Sequence, residues 1–239
     1  MKRFEFRTGN VIIVFRIGET TNDKISNGLP LVQTYTYSVD QFNYIANGGG
    51  VGGMFEFDQD NCLNCPLSGT NRKEGQPKCY THKFTQAQGF VSQIRAIIRK
   101  YNGVDNIPQL PNVIPNALLK ACKDMYVRYG AYGEPVFIPI DWMKAIANVA
   151  KSYTGYTHQW NKEEYLPYSL YLMASTHNIF ERALAVDLGW LCFTSNKESI
   201  GDVVCPASSE AGFKSNCAKC GLCSGTTGKG RVNIQIQLH

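Results

Sequence analysis

The chain has 239 residues, 44% of them hydrophobic and 18% charged, with a net charge of +5. That length buries one sizeable core, or a core and a small lobe, and the balance excludes a disordered or fibrous chain. No run approaches the roughly 18–20 apolar residues of a bilayer span, and 11–15 is too short for a secretory core, so a cytoplasmic, reducing setting without a membrane partner is expected.

The first segment, 1–60, reads as β-rich. Lys2–Arg7 alternates, Val11–Arg16 is a β-branched run, and Leu31–Ser38 interleaves Thr34 and Thr36 with Tyr35 and Tyr37. Asn47–Gly53 is too glycine-rich for the interior of an element. Gly49, Gly50, Gly52 and Gly53 would let this loop approach a cofactor closely, although no lysine–hydroxyl pair follows as a phosphate loop requires.

An α/β core over 61–200 carries the first cysteine group, Cys62, Cys65 and Cys79, in a loop-like stretch. Gln86–Tyr101 has helical periodicity, with Phe90, Ile94, Ile97 and Ile98 on one face. The proline-bearing stretch 102–115 is a connector. Met125–Arg128 predicts a short strand followed by a loop over Tyr129–Pro135. A helix is expected from Asp141, as its cap, to Lys151, then strands over Tyr153–Thr157 and Leu170–Ala174. A helix over Ile179–Leu188, stopped by Gly189, and a strand over Trp190–Thr194 complete the alternation. A cysteine-rich segment, 201–239, follows, with Arg231–Leu238 as a closing strand.

Strands and helices alternating at this spacing predict an α/β fold with a parallel sheet, open or partly closed as a (βα) barrel. Reactive groups in such sheets lie at the carboxyl ends of strands. That rule gathers Arg128, Tyr132, Glu134, His158, Gln159, Trp160, Ser175 and Thr176 at one mouth.

Seven of the nine cysteines fall into two groups, and in a reducing setting such spacing favours a metal over disulfides. Cys205-x11-Cys217-x2-Cys220-x2-Cys223 has the close triplet and remote fourth thiolate of a 4Fe–4S site, and zinc would accept the same four ligands. Cys62-x2-Cys65-x13-Cys79 supplies three thiolates, which on a 4Fe–4S cluster leave one iron open. Alternatively His82 or Asp60 completes a structural zinc site there, or a remote cysteine joins. One or two clusters are therefore expected.

His158, at the end of a strand, can transfer protons, bind a metal or hold an anion; the plainer alternative is a hydrogen-bonded structural histidine. Arg128 and Glu134 form either an ion pair or a pair that orients a polar substrate. His177 caps or flanks a helix. Nine lysines and arginines lie between Arg72 and Lys123 against Glu74 and Asp105. The basic region 72–123 could meet the phosphates of a nucleic acid, or be a solvated helix face.

Val127–Pro135, Thr154–Trp160 and Cys205–Gly212, with Cys217, Cys220 and Cys223, resemble a family of uncharacterised cysteine-rich proteins of bacteria, plasmids and bacteriophages. Cys62-x2-Cys65-Pro66 and Cys79-Tyr80 fit the same group, so the likeness runs from about Asn47 to Gly225. The layout is also similar to radical S-adenosylmethionine enzymes, with a cysteine triplet, a βα half-barrel and further cysteines at the carboxyl end. Those enzymes usually carry CxxxCxxC, whereas here Cys79 follows CxxC after thirteen residues, which counts against S-adenosylmethionine more than against a cluster.

Together these readings lead to an iron–sulfur protein with redox or radical chemistry at the three-cysteine cluster and a second, four-cysteine cluster. His158 would be a proton donor or ligand, Arg128 and Glu134 would position substrate, and the partner would be a small-molecule substrate or an electron donor. The competing readings are a zinc-stapled nucleic-acid-binding protein of phage or plasmid origin and a non-catalytic electron carrier.

Overall fold

Residues Val11 to Phe15 are all buried, because their strand is covered on both faces. A computed structural model describes residues 2–20, 22–74, 79–196 and 201–237. Strands β1 (Lys2–Thr8), β2 (Val11–Gly18), β3 (Leu31–Ser38), β4 (Tyr126–Tyr132) and β5 (Ser152–Thr154) form the first sheet in that order. The first two pairings are antiparallel and the next two parallel. Strands β6 (Tyr156–Thr157), β7 (Met173–Thr176), β8 (Cys192–Asn196), β9 (Val203–Val204) and β10 (Ile234–Gln237) form a second, all-parallel sheet in the order β6-β7-β8-β10-β9.

Helices α1 (Val39–Ala46), α2 (Gln59–Cys62), α3 (Phe84–Tyr101), α4 (Asn116–Cys122), α5 (Ile140–Val149), α6 (Ile179–Asp187) and α7 (Cys217–Cys220) connect the strands. Side chains alternate along β2, so Ile13 and Phe15 enter one core while Ile12 and Val14 enter the other. In the first core Trp142 of α5 meets Phe6 edge to face at 5.3 Å. In the second, Phe42 of α1 and Phe90, Ile94 and Ile97 of α3 pack on Tyr35 and Tyr37. Among the described residues no helix is long and apolar enough to cross a membrane.

Only Gly155 separates β5 from β6. Its N–H leaves the sheet to donate to the Cys223 carbonyl at 2.9 Å, while its carbonyl accepts from the Met173 N–H at 3.0 Å. A Cβ there would lie 2.7 Å from Leu172 and 2.8 Å from Tyr129, so the close approach requires glycine. Across this bend β3, β4, β5–β6, β7 and β8 run on as parallel strands with helices between them, the expected α/β arrangement.

Several boundaries differ from those expected. β4 runs on to Tyr132 where a loop was predicted from Tyr129, because Gly130 (φ +65°) falls at a register shift in the β3–β4 ladder; the glycine marks a bulge rather than a turn. The strand predicted over Tyr153–Thr157 is broken at Gly155. The strand predicted from Leu170 begins at Met173, since 163–170 is a 3₁₀ helix. β8 begins at Cys192 rather than Trp190. Helix α5 starts after Pro139, and Asp141 sits in its first turn instead of capping it. Helix α1 was not foreseen, although Ser38 and Gln41 form a reciprocal capping box at its start.

The two cysteines outside the groups, Cys122 and Cys192, are fully buried, and burial pushes their thiols up to about 12 and about 11. Both are expected to resist alkylation at neutral pH in the folded protein and to react once it is denatured. Labelling of either at the rate of a free thiol, read by peptide mass spectrometry, would count against this packing.

Candidate metal centres

The first cysteine group sits on turns pinned by a buried carboxylate. Asp58 accepts from the Gly69 N–H (2.7 Å), the Thr70 N–H (3.0 Å) and the Thr70 hydroxyl (2.7 Å), drawing 65–70 back over α2. Leu63, between the first two cysteines, has φ +48° and ψ −123°, a backbone conformation that costs a non-glycine residue about 1–3 kcal/mol. This turn lets the Cys65 N–H donate to the Cys62 carbonyl at 3.0 Å. Cys79 returns to the same loop by donating its N–H to Leu67 at 3.1 Å. Cys62, Cys65 and Cys79 thereby line one cavity of about 50 Å³. At ~10–15 Å³ for each water-sized body, that is room for about three to five of them.

The facing wall comes from the carboxyl ends of β4 and β6. Gly133 (φ +70°) turns the chain after β4, and the Glu134 N–H donates to the Asn61 carbonyl at 2.7 Å, next to Cys62. Glu134 is buried, and both of its carboxylate oxygens are occupied. One accepts from His158 Nδ1 at 2.9 Å and from the His158 N–H at 3.2 Å; the other accepts from the Thr157 hydroxyl at 2.5 Å. The ring so fixed leaves His158 Nε2 3.8 Å from Cys65 Sγ. Cys65, Glu134 and His158 thus hold ligand atoms within 4.8 Å of one another, at the rim of a sheet where bound groups are expected.

Burial pushes the Cys62 thiol well up, and Asp58 and the neighbouring thiols add to it. Burial also raises Cys79, against the pull of the Thr81 hydroxyl. Burial works against a charge on His158, but the Cys65 sulfur and the Glu134 carboxylate outweigh it and hold the imidazole well above its usual range. Thiols packed this closely ionise together only against a cation, so binding a metal here would release protons.

The other residues expected at the mouth divide. Tyr132 lines the cavity, together with Tyr80 and Tyr156, which the sequence did not single out. Gln159 and Thr176 are fully buried, Trp160 donates its indole N–H to the Ser175 carbonyl at 3.0 Å, and none of these four is in the cavity wall. Arg128 makes no ion pair with Glu134 among the described residues; it donates to the Tyr80 hydroxyl at 2.6 Å and lies beside Cys217. It therefore stands between the two cysteine groups. His177 stacks on His158 at 5.4 Å, and burial, then His158, lowers it to about 4.

His82 lines the cavity but stacks on Phe55 at 3.8 Å, with Nε2 3.8 Å from Asp58. Asp60 is not in the wall. The glycine loop is not there either. A Cβ at Gly49 or Gly53 would meet Tyr44 at 2.5 or 2.4 Å, so these two glycines admit that ring, while Gly50 and Gly52 face open space.

Cys205, Cys217 and Cys223 of the second group share one small core. Cys205 follows β9 and donates its N–H to the Gln235 carbonyl at 2.9 Å. Cys217 and Cys220 bound the single turn α7, which Asn216 caps and Gly221 (φ +67°) ends. Burial raises the Cys223 thiol well up, and Cys205, Cys217 and Cys220 each raise it further. Burial raises Cys217 too, and the Arg128 charge pulls it partly back. Beneath them lies a small core of Met173, Ala207 and Ile234.

No family model matches this chain, and no curated protein or solved structure does. Two sets of candidate ligands remain. The second, Cys205, Cys217, Cys220 and Cys223, offers four sulfurs of the kind a structural or electron-carrying metal would take. The first has three thiolates, an imidazole and adjoining space, which suits a metal that meets other molecules. The basic region is partly spent on internal contacts, since Lys100 pairs with Glu5 at 2.7 Å and Arg95 donates to the Gly49 carbonyl at 3.3 Å.

Proposed function

We propose that this is a cytoplasmic iron–sulfur protein with two centres, and that redox or radical chemistry takes place at Cys62, Cys65 and Cys79. Cys205, Cys217, Cys220 and Cys223 hold the second centre, which carries electrons or braces the fold. The observation that carries this reading is the convergence of three thiolates and His158 on a cavity at the carboxyl ends of β4 and β6. A purely structural metal is normally closed off, whereas here space for several water-sized bodies adjoins the ligands. The Cys-x2-Cys-x2-Cys triplet of the second group supports iron over zinc.

The test is anaerobic purification followed by absorbance, iron, sulfide and zinc measurements. Iron with matching acid-labile sulfide is expected, and Cys79→Ser should remove one centre's share while sparing the other. Stoichiometric zinc in a colourless protein would instead favour the zinc reading, for which three sulfurs and one nitrogen are an ordinary ligand set.

A further inference from the structure

We infer that His158 is the fourth protein ligand of the first centre, binding through Nε2, and that Glu134 anchors it without touching the metal. The inference rests on the reading of Cys62, Cys65 and Cys79 as a metal site, though not on which metal fills it. Three thiolates leave a four-coordinate ion one donor short, and groups in the same cavity are placed to supply it.

Three groups in or near that cavity could serve: His158, His82 and Glu134. Glu134 is better suited to anchoring than to binding, since its two oxygens already accept from His158 and Thr157. His82 lies flat against Phe55 with Nε2 turned to Asp58, which is itself committed to Gly69 and Thr70. His158 has the opposite disposition. Its Nδ1 is occupied by Glu134, so Nε2 is the nitrogen left to bind, and it lies 3.8 Å from Cys65 Sγ. A carboxylate on the far nitrogen fixes the ring and its tautomer and makes the near nitrogen a better donor, the usual support for a metal-bound histidine. The Asn61 carbonyl, which holds the Glu134 N–H, ties this support to the residue before Cys62. One backbone hydrogen bond therefore joins the anchor to the Cys62 turn.

The test is independent of the native metal. The full chain is loaded with NMR-active cadmium after its own metal is removed, and correlations between cadmium and histidine ring protons are recorded. Two cadmium signals are expected, one of them correlated with the His158 ring. In His158→Ala that correlation disappears and the first signal moves, while the signal of the four-cysteine group stays in place and reports an intact fold. Glu134→Gln keeps the ligand and the shape, and should weaken cadmium binding at the first centre by about 10–100-fold with the second unchanged.

A first-centre signal with no histidine correlation, or with one from His82, overturns the assignment. So does failure of the first cysteine group to take up cadmium. Unchanged affinity in Glu134→Gln overturns the anchoring role. Failure of the iron–sulfur reading shows separately, in the iron and sulfide content of the protein as isolated.

Discussion

If Cys205, Cys217, Cys220 and Cys223 hold a metal as proposed, stripping it is expected to release the whole of 201–237 from the second sheet. The apolar contribution here is small: Met173, Ala207 and Ile234 are the buried non-cysteine members of the local core. A lobe of that size depends on a staple. Structural zinc sites supply apparent binding energies of about 10–16 kcal/mol, far beyond what a few buried side chains provide. The segment is also fastened elsewhere. Cys217 and Ala218 donate backbone N–H groups to Lys24 and Ile25, and Thr226 and Thr227 donate to Ser169 and Leu170. Chelation should therefore loosen the loop before β3 and the turn before β7, while β1 to β4 keep their protection. Limited proteolysis with amide exchange would read this. Protection across 201–237 that survives full metal removal would show that the segment needs no staple.

Replacing Gly133 with alanine is expected to cost stability and empty the first centre together. At φ +70° a side chain is disfavoured by about 1–2 kcal/mol, and the new Cβ would lie 2.0 Å from the Thr36 hydroxyl and 2.7 Å from its carbonyl. Forced overpacking adds about 1–3 kcal/mol, for a total of about 2–5 kcal/mol. The displacement also has a direction. Thr36 lies against the carbonyls of Asn61, Tyr132 and Glu134, so pushing it away separates the two walls of the cavity. Denaturant unfolding gives the first effect and metal content the second. A variant with normal stability and a full first centre would show that this turn does not set the site.

Much of this was legible in the sequence, for identifiable reasons. Cysteine spacing is a local property, so both groups could be found without knowing the fold. His158 was noticed because a polar residue closing an apolar strand stands out. Its partner was not, since Arg128 and Glu134 look like a natural pair six residues apart. The bulge at Gly130 and the turn at Gly133 direct Glu134 to His158 and leave Arg128 to Tyr80. Asp60 and Asp58 are equally eligible on paper, yet it is Asp58 that organises the loop. Spacing alone does not tell which of two nearby acids turns inward. The glycine loop invites a ligand on paper, but the need for two of its glycines appears only once Tyr44 lies against them.

The position of β10 sets an order on events during synthesis. Residues 234–237 insert between β8 and β9, so β9 and the four cysteines beside it leave the ribosome before the strand that fastens them. Every residue of the first centre lies at or before position 158, and the first sheet ends at Thr154. Domains generally begin to fold from the amino-terminal side as they emerge. The first centre can therefore be assembled on a nascent chain, and the second is completed only after residue 237 is free.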